Sequence, residues 1–177
     1  MISSGLAVAT VAALFATVPG GAVRNNFTPA APAVSVQAAN AAWDEARFIT
    51  LINRERAARG IAALAVDPML ASVARAHSRD MADRAYFSHE SPTPGAATPM
   101  ARYQAAASGE PQSLLVGENL YYCSATVGAE AGHRALMASP GHRANLLDER
   151  YESIGVGIYA NEHGEYWVTQ VFLRRRD

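Results

Sequence analysis

The chain carries two alternating stretches near its carboxyl end, Ile154-Gly155-Val156-Gly157-Ile158-Tyr159 and Tyr166-Trp167-Val168-Thr169-Gln170-Val171-Phe172-Leu173. Alternation of side-chain type with a period of two is typical of β-strands. Turn-forming residues between Asn161 and Gly164 separate the two stretches. Together they predict an antiparallel β-hairpin as the last element of the fold.

Upstream of this hairpin the pattern is mainly helical. Asp67-Pro68 and Thr98-Pro99 each place a capping side chain before a proline, which is a common way to begin a helix. Helices are predicted over residues 40–59, 67–84, 98–107 and 127–138, with a helical turn up to residue 147, and extended segments over 114–116 and 120–122. Residues 61–66 are predicted to form a short connection or strand. Helices first and clear strands last favour an α+β fold with an antiparallel sheet covered by helices.

The first forty residues differ in composition from the rest, with Arg24 as their single charged side chain. Leu6–Val18 is mostly apolar but shorter than the roughly twenty residues a membrane-spanning helix needs, and it fits the apolar part of a secretory signal. We assign residues 1–22 to a signal peptide or N-terminal anchor, 23–41 to a linker and 42–174 to one folded domain. The expected location is outside the cell or in the cell envelope.

Charge and cysteine content exclude several classes. The formal net charge is −1, so no general positive field attracts nucleic acid. Any membrane association is expected to use the N-terminal segment alone. Cys123 is the single cysteine, so an intramolecular disulfide is impossible and packing alone must hold the domain, which we expect to be a monomer. A Cys–His nucleophile at this position is disfavoured because nothing in the sequence pairs the thiol with a base.

Candidate chemistry comes from three segments that place polar groups among turn-forming residues. These are Tyr86-Phe87-Ser88-His89, Gly117-Glu118-Asn119-Leu120 and Ser139-Pro140-Gly141-His142-Arg143. Two imidazoles and a carboxylate can bind Zn²⁺ and leave a position for water. The same trio can equally form a hydrogen-bonded pocket without metal, and the sequence separations do not decide between these alternatives.

Several ordered motifs together resemble the CAP superfamily, which comprises the cysteine-rich secretory, antigen 5 and pathogenesis-related 1 proteins, and in particular its cysteine-poor bacterial branch. The resemblance runs from about Trp43 to Phe172. The motifs that carry it are Leu51-Ile52-Asn53-x-x-Arg56, Leu70-Ala71-x-x-Ala74-x-x-His77-Ser78-x-x-Met81, Phe87-Ser88-His89, Gly117-Glu118-Asn119-Leu120, Ser139-Pro140-Gly141-His142-Arg143-x-Asn145-Leu146-Leu147 and the two hairpin strands. It implies an α-β-α sandwich with a large surface cleft.

The resemblance also implies a tetrad of two histidines and two acidic residues that binds Zn²⁺ or another divalent metal in some members. By motif, His89, Glu118 and His142 match three of the four. The family pattern for the second acid, a tryptophan followed three positions later by the acid, falls on Leu136 and Ser139. Glu130 and His133 lie earlier on the same helix and could substitute only in a different register.

Further cleft residues are assigned plainer roles. His77 lies on the apolar face of its helix and is expected in the core or the cleft wall. Asn119 is expected to hold its loop through backbone hydrogen bonds, while Ser139 and Arg143 flank the second histidine. Four aromatic residues at strand spacing are more typical of a core than of a ligand platform: Tyr121, Tyr122, Tyr151 and Trp167.

Three functions remain open from the sequence. The favoured one is a secreted binding module whose cleft holds a lipid, a wall fragment or a peptide, with a divalent metal such as zinc as an organiser. The second is a zinc-dependent hydrolase or peptidase using His89, Glu118 and His142, although no second acid is evident to serve as general base. The third is a structural wall-associated protein with a vestigial site. A protein that is not an enzyme is preferred.

Overall fold

The predicted C-terminal hairpin forms the centre of the sheet. A computed structural model describes residues 36–107, 114–125 and 127–175. Within them, a four-stranded sheet has the order β1-β3-β4-β2, and β3 and β4 pair antiparallel with Val156 opposite Gln170. The bounds in chain order are α1 Val36–Ala57, β1 Ala65–Val66, α2 Pro68–Asp83, α3 Pro99–Ala106, β2 Leu114–Cys123, α4 Gly128–Ala138, α5 Pro140–Leu146, β3 Ser153–Ala160 and β4 Tyr166–Arg175.

Helices cover both faces of the sheet, which confirms the expected α+β sandwich. Leu70, Val73 and Ala74 of α2 pack with Val171 and Leu173 of β4 on one face, and α3 joins them there. On the other face, α1, α4 and α5 pack over the alternate side chains of the same strands. Because neighbouring residues of a strand point to opposite sides, one strand serves two separate cores.

Two glycines in β3 determine how closely α2 approaches the sheet. A Cβ atom at Gly155 would overlap the backbone of Leu70 and Ala71, and one at Gly157 would overlap the backbone of Ala74 and Arg75. The bare strand surface therefore lets the helix backbone lie directly on it. Ser78 fixes this contact by donating to the carbonyl of Gly157 over 2.9 Å.

The helix starts predicted from sequence are present. The Asp67 carboxylate accepts a hydrogen bond from the Met69 amide at 2.8 Å, and the Thr98 hydroxyl accepts one from the Ala101 amide at 3.1 Å. Each cap satisfies an amide at the first turn, which has no partner within the helix. Both α2 and α3 consequently begin where the sequence places them.

Three details differ from the sequence expectations. Residues 114–123 form one continuous strand, because pairing with β4 runs through the Gly117-Glu118-Asn119 segment without a break. The short β1 pairs in parallel with β3, so the sheet is mixed rather than wholly antiparallel. Helix α1 begins at Val36, inside the segment assigned to the linker.

Residues 1–22, assigned to a signal peptide or anchor, and most of the predicted linker lie outside the described residues. Among those that are described, no helix combines the length and the apolar character required to cross a bilayer.

Candidate functional site

Glu118 is the centre of a buried charged cluster on the α2–α3 face of the sheet. It lies on β2, the edge strand, opposite Val171 of β4, and only 6% of the residue is exposed. Arg102 donates from Nη2 to Oε2 at 2.7 Å, and His89 Nδ1 lies 2.9 Å from Oε1. Both carboxylate oxygens are therefore engaged by neighbouring side chains.

His89 is the exposed member of this cluster, with 53% of its side chain open to solvent. The hydrogen bond with Glu118 raises the pKa of the imidazole, although burial and the charge of Arg102 oppose the rise. With Nδ1 facing the carboxylate, that nitrogen carries the proton. The other ring nitrogen, Nε2, has no hydrogen-bond partner within the described ranges. A carboxylate behind an imidazole fixes the tautomer in which Nε2 can accept a proton or a metal.

Arg102 is a component of the site that the sequence reasoning missed. Besides Glu118, it donates to the backbone carbonyls of Ala96 and His89 at 3.0 and 3.1 Å. It therefore ties α3 and the loop carrying His89 to strand β2. No local signal identifies it, because an arginine in a short helix usually faces water, and its partner lies sixteen positions further along the chain.

His77 is buried and forms the inner wall of the cluster. The sequence predicted a position in the core or the cleft wall for this residue. Its Nε2 lies 3.1 Å from the carbonyl of Ser88 and 3.8 Å from the Glu118 carboxylate. Burial lowers its pKa more strongly than the Glu118 charge raises it. A neutral ring donating from Nε2 to Ser88 fits this environment, so His77 supports the loop rather than offering a free nitrogen.

Asp80 holds the far end of the same loop. Its carboxylate accepts from the hydroxyls of Ser91 and Thr93 at 2.7 and 2.9 Å, and also from Tyr86 and Arg84. Burial raises the pKa of this carboxyl, but these donors outweigh it and hold the pKa well below the usual range. The loop that presents His89 is consequently anchored to α2 at both ends.

Asn119 points to the opposite face of β2 from Glu118. Its amide donates to the carbonyl of His142 at 3.1 Å and to Gln170 at 3.2 Å, and it accepts from Asn145 at 2.9 Å. Asn145 also donates to the carbonyl of Glu118 at 3.1 Å. These bonds fasten α5 to the edge strand and place its first turn beside the site.

His142 lies in that first turn and is partly buried. Burial lowers its pKa, and the nearby positive charge of His89 lowers it further. The two imidazoles are thus close enough to interact electrostatically, whereas among the described residues no hydrogen bond joins His142 to Glu118. Ser139 accepts a backbone bond from Arg143 through its carbonyl, and the exposed Arg143 side chain bonds the carbonyl of Met137. Neither side chain contacts the Glu118 cluster.

The other residues considered for a fourth ligand face elsewhere. Glu130 pairs with Arg47 on the outer side of α4 at 2.6 Å, and Leu136, at the position of the family tryptophan, is a core residue. His133 is buried with both ring nitrogens lacking a partner. Across residues 36–107, 114–125 and 127–175, no group of three or more histidine, cysteine or acidic side chains is arranged to hold a metal ion.

The donor set consequently fits a metal only in a restricted way. His89 and His142 would supply two imidazole nitrogens, and Glu118 would orient His89 from behind instead of binding the ion. Catalytic zinc sites typically have three protein ligands, so two imidazoles suit an open site with further ligands supplied by solvent or a bound molecule.

Residues 49–172 match the family model described as the cysteine-rich secretory protein family, CAP. The chain belongs to this family. It is 36% identical over 152 residues to the uncharacterized protein YkwD of Bacillus subtilis, covering 86% of this chain and 53% of that protein. It is 32% identical over 131 residues to the uncharacterized membrane protein YlbC of the same organism, covering 74% of this chain and 34% of that protein. The CAP chain therefore spans about half or less of the length of these relatives.

Two solved structures are similar to this chain in fold. An extracellular protein with an SCP domain from Bacillus anthracis superposes with a TM-score of 0.65 at 34% identity, covering 76% of this chain and 41% of that one. An outer surface protein of Borrelia burgdorferi has the same TM-score at 20% identity, covering 76% of this chain and 94% of that one, which supports the fold alone. The sequence-based recognition and fold class are both confirmed.

Proposed function

We propose that this CAP domain is an extracellular or cell-envelope binding module whose ligand contacts the surface formed by His89 and His142. The ligand class expected from sequence is a lipid, a wall fragment or a peptide. The observation that carries this proposal is the engagement of both Glu118 oxygens by Arg102 and His89. The side chain that the family pattern offers as an acid is thus used to position an imidazole.

General acid–base hydrolysis requires an acid as well as the base that activates water. Glu118 is nearly inaccessible, and the position that the family pattern gives to the second acid holds Ser139. His89 can accept a proton at Nε2, but among the described residues no carboxylate other than Glu118 is hydrogen-bonded to its ring. These facts favour binding over the zinc-dependent hydrolase.

A divalent metal would organise the ligand surface in this proposal. His89 and His142 would hold it, and the metal would act as a Lewis acid toward an oxygen of the ligand. Glu118 would keep His89 in the required tautomer, and Arg102 would keep Glu118 in place. Since metal binding needs neutral imidazoles, affinity is expected to fall as the pH drops through the raised pKa of His89.

The extracellular location is supported by two observations. The apolar segment Leu6–Val18 is typical of a secretory signal, and the similar solved structure from Bacillus anthracis is described as an extracellular protein. Export would place the site among wall polymers, lipids and peptides outside the cytoplasm.

The first prediction is a zinc titration of the purified protein by calorimetry at pH 7.5, together with a panel of peptide and ester substrates. The wild type is expected to bind zinc with no turnover. His89→Ala and His142→Ala should each weaken binding at least about ten-fold, because each removes a ligand or its orientation. His163→Ala, in an exposed turn, is the matched control and should bind as the wild type.

Zinc-dependent substrate cleavage that both site variants abolish would establish the hydrolase and refute the binding module. Absence of zinc binding in the wild type would remove the metal from the proposal. In that event, a screen of wall fragments, lipids and peptides against wild type and His89→Ala would decide the remaining claim: no ligand sensitive to His89 would favour a structural protein.

A further inference from the structure

A second concave site lies away from His89 and His142. A cavity of about 360 Å³ opens between the end of α2 and the β3–β4 turn. Four aromatic side chains and two polar ones give it its chemistry: Tyr86, Phe87, Tyr122, Trp167, Asn161 and Glu165. We call it the aromatic groove.

The rings form a connected series that is open to solvent at one end. Phe87 is 51% exposed and Tyr122 is 39% exposed, whereas Trp167 beneath them is 7% exposed. The centroids of Phe87 and Tyr122 are 6.0 Å apart, and those of Tyr122 and Trp167 are 5.2 Å apart. The sequence predicted both Trp167 and Tyr122 to be core residues. Trp167 is buried as predicted, whereas Tyr122 is exposed. Adjacent exposed rings around a cavity are typical of a binding site.

Charge selects the kind of ligand. Among the described residues that line the groove, Glu165 carries a formal charge, and this charge is negative. Hydrogen bonds from the Tyr122 hydroxyl at 2.7 Å and from the Asn161 side-chain amide at 2.6 Å fix the Glu165 carboxylate. Both bonds lower the pKa of this carboxyl group, and the bond from Tyr122 has the larger effect. The faces of the aromatic rings also carry negative potential. An organic cation is complementary to both features.

From this combination we propose that the aromatic groove binds a quaternary ammonium group of the choline type. Rings and a carboxylate around one cavity are the groups that recognise such a cation. A saccharide is less well matched, because Asn161 and Glu165 direct their hydrogen bonds at each other and at Tyr122. A proline-rich peptide would use the rings but would gain nothing from an ionised carboxylate.

This site is separate from the surface assigned to the proposed function. Tyr122 and Glu118 share one face of β2 four residues apart, which is about 13 Å along a strand. Buried Leu120 lies between them and packs with Met81 and Trp167. Binding in the aromatic groove therefore does not depend on the metal or on His142, and either proposal can fail alone.

The test uses fluorescence of the full chain carrying Trp43→Phe. That substitution leaves Trp167 as the one tryptophan in the sequence, so the signal reports the groove. Choline chloride is titrated against 3,3-dimethylbutan-1-ol, its neutral isostere, at constant ionic strength. We expect a saturable change with choline and at least about ten-fold weaker binding of the neutral compound.

Variants locate the effect. In the same background, Phe87→Ala and Glu165→Gln should each weaken choline binding about five-fold to thirty-fold, while His142→Ala should leave it unchanged. Circular dichroism checks that each variant folds. Equal affinity for the neutral isostere, an unchanged affinity in Glu165→Gln, or no response to choline would each overturn the proposal. So would saturable binding of an oligosaccharide or a polyproline peptide in place of choline.

Sedimentation with vesicles distinguishes the source of the cation. Co-sedimentation with phosphatidylcholine but not phosphatidylglycerol vesicles, lost in Phe87→Ala, would identify a lipid headgroup. Choline binding without vesicle binding would support the same chemistry with a free or polymer-linked quaternary ammonium compound as ligand.

Discussion

Glu118 and Asn119 are neighbours on one strand, yet they belong to two polar clusters on opposite faces of the sheet. Glu118 connects charged side chains, Arg102 and His89, and the cluster reaches solvent through the imidazole. Asn119 connects neutral amides and a backbone carbonyl, and it is fully buried. The Glu118 cluster can change its charge with pH or with a bound ligand. The Asn119 cluster contains no titrating side chain, so a perturbation there can only keep or break its hydrogen bonds.

The difference indicates a division of labour. Hydrogen bonds to backbone carbonyls fix where elements lie, so the Asn119 face is expected to determine stability. The charged groups of the Glu118 cluster also contribute to stability, but in addition they set the proton affinity of the exposed imidazole. The remaining predictions separate these two roles, beginning with the largest expected effect.

The strongest test on the Asn119 face is Arg56→Met. Arg56 is completely buried, and it donates to the carbonyls of Ala62, Leu146, Asp148 and Tyr151 at 2.7 to 3.3 Å. Methionine keeps much of the packing but leaves these acceptors without their donor. Urea unfolding should show a loss of about 4 kcal/mol in the free energy of unfolding.

The control for that measurement is Arg59→Met, an exposed arginine in the turn just after the same helix, whose partner is Glu55. It should change stability by less than about 0.5 kcal/mol. Similar stabilities for the two variants would show that the α1–α5 contact does not depend on the buried guanidinium.

A direct comparison pairs Asn119→Ala with Glu118→Gln. The first removes an amide that three partners use and should cost about 2–3 kcal/mol of stability, with no change in the pKa of His89. The second leaves the buried Arg102 guanidinium without its counter-charge and should cost about 3 kcal/mol, and it alone should lower the pKa of His89, since the Glu118 hydrogen bond is the main cause of its rise. Urea unfolding and NMR titration of the histidine rings measure the two effects.

If Asn119→Ala shifted the pKa of His89 as much as Glu118→Gln does, the two faces would be electrostatically coupled through β2 and the division of labour would be wrong.

The smallest effect concerns acid sensitivity through His133. Burial lowers its pKa, with a smaller opposing influence from Glu55. Its share of stability is complete above the ordinary histidine pKa of about 6.5 and is lost as the pH falls toward the lowered value, because the unfolded chain then binds the extra proton. His133→Leu should make stability less dependent on pH between 7 and 5, by at most about 1.4 kcal/mol per pH unit.

Thermal unfolding at several pH values tests this point. His163→Ala should retain the wild-type pH profile, since that side chain is exposed. An unchanged profile in His133→Leu would assign the acid sensitivity to the other histidines with lowered pKa, His77 and His142.

Local signals explain which parts of the fold were predictable. The caps at Asp67 and Thr98 and the alternating hairpin depend on neighbouring residues, and the structure has them where the sequence placed them. The continuity of β2 was not predictable, because Gly117-Glu118-Asn119 resembles a loop locally and becomes strand only through pairing with β4. Long-range pairing overrides a weak local preference.

The candidate site divides in the same way. Motif resemblance pointed to His89 and Glu118, which are in contact, and the apolar stripe of its helix pointed to a core or cleft-wall position for His77, which lies 3.8 Å from Glu118. It did not reveal Arg102, whose role depends on α3 folding over β2, nor that Glu118 would point inward. The assignments of metal and ligand stay predictions, and they await the titrations described above.

The glycines of β3 limit where this domain can vary. Because α2 rests directly on the strand backbone at Gly155 and Gly157, added side-chain volume there would lift the helix and separate His77 from Glu118. The helix is thus a fixed reference for both sites, whereas the loop of residues 84–98, which carries Phe87 and His89, is held to it by side-chain hydrogen bonds. Evolutionary change in ligand preference is expected to accumulate in that loop, because substitutions there do not alter how α2 packs on β3.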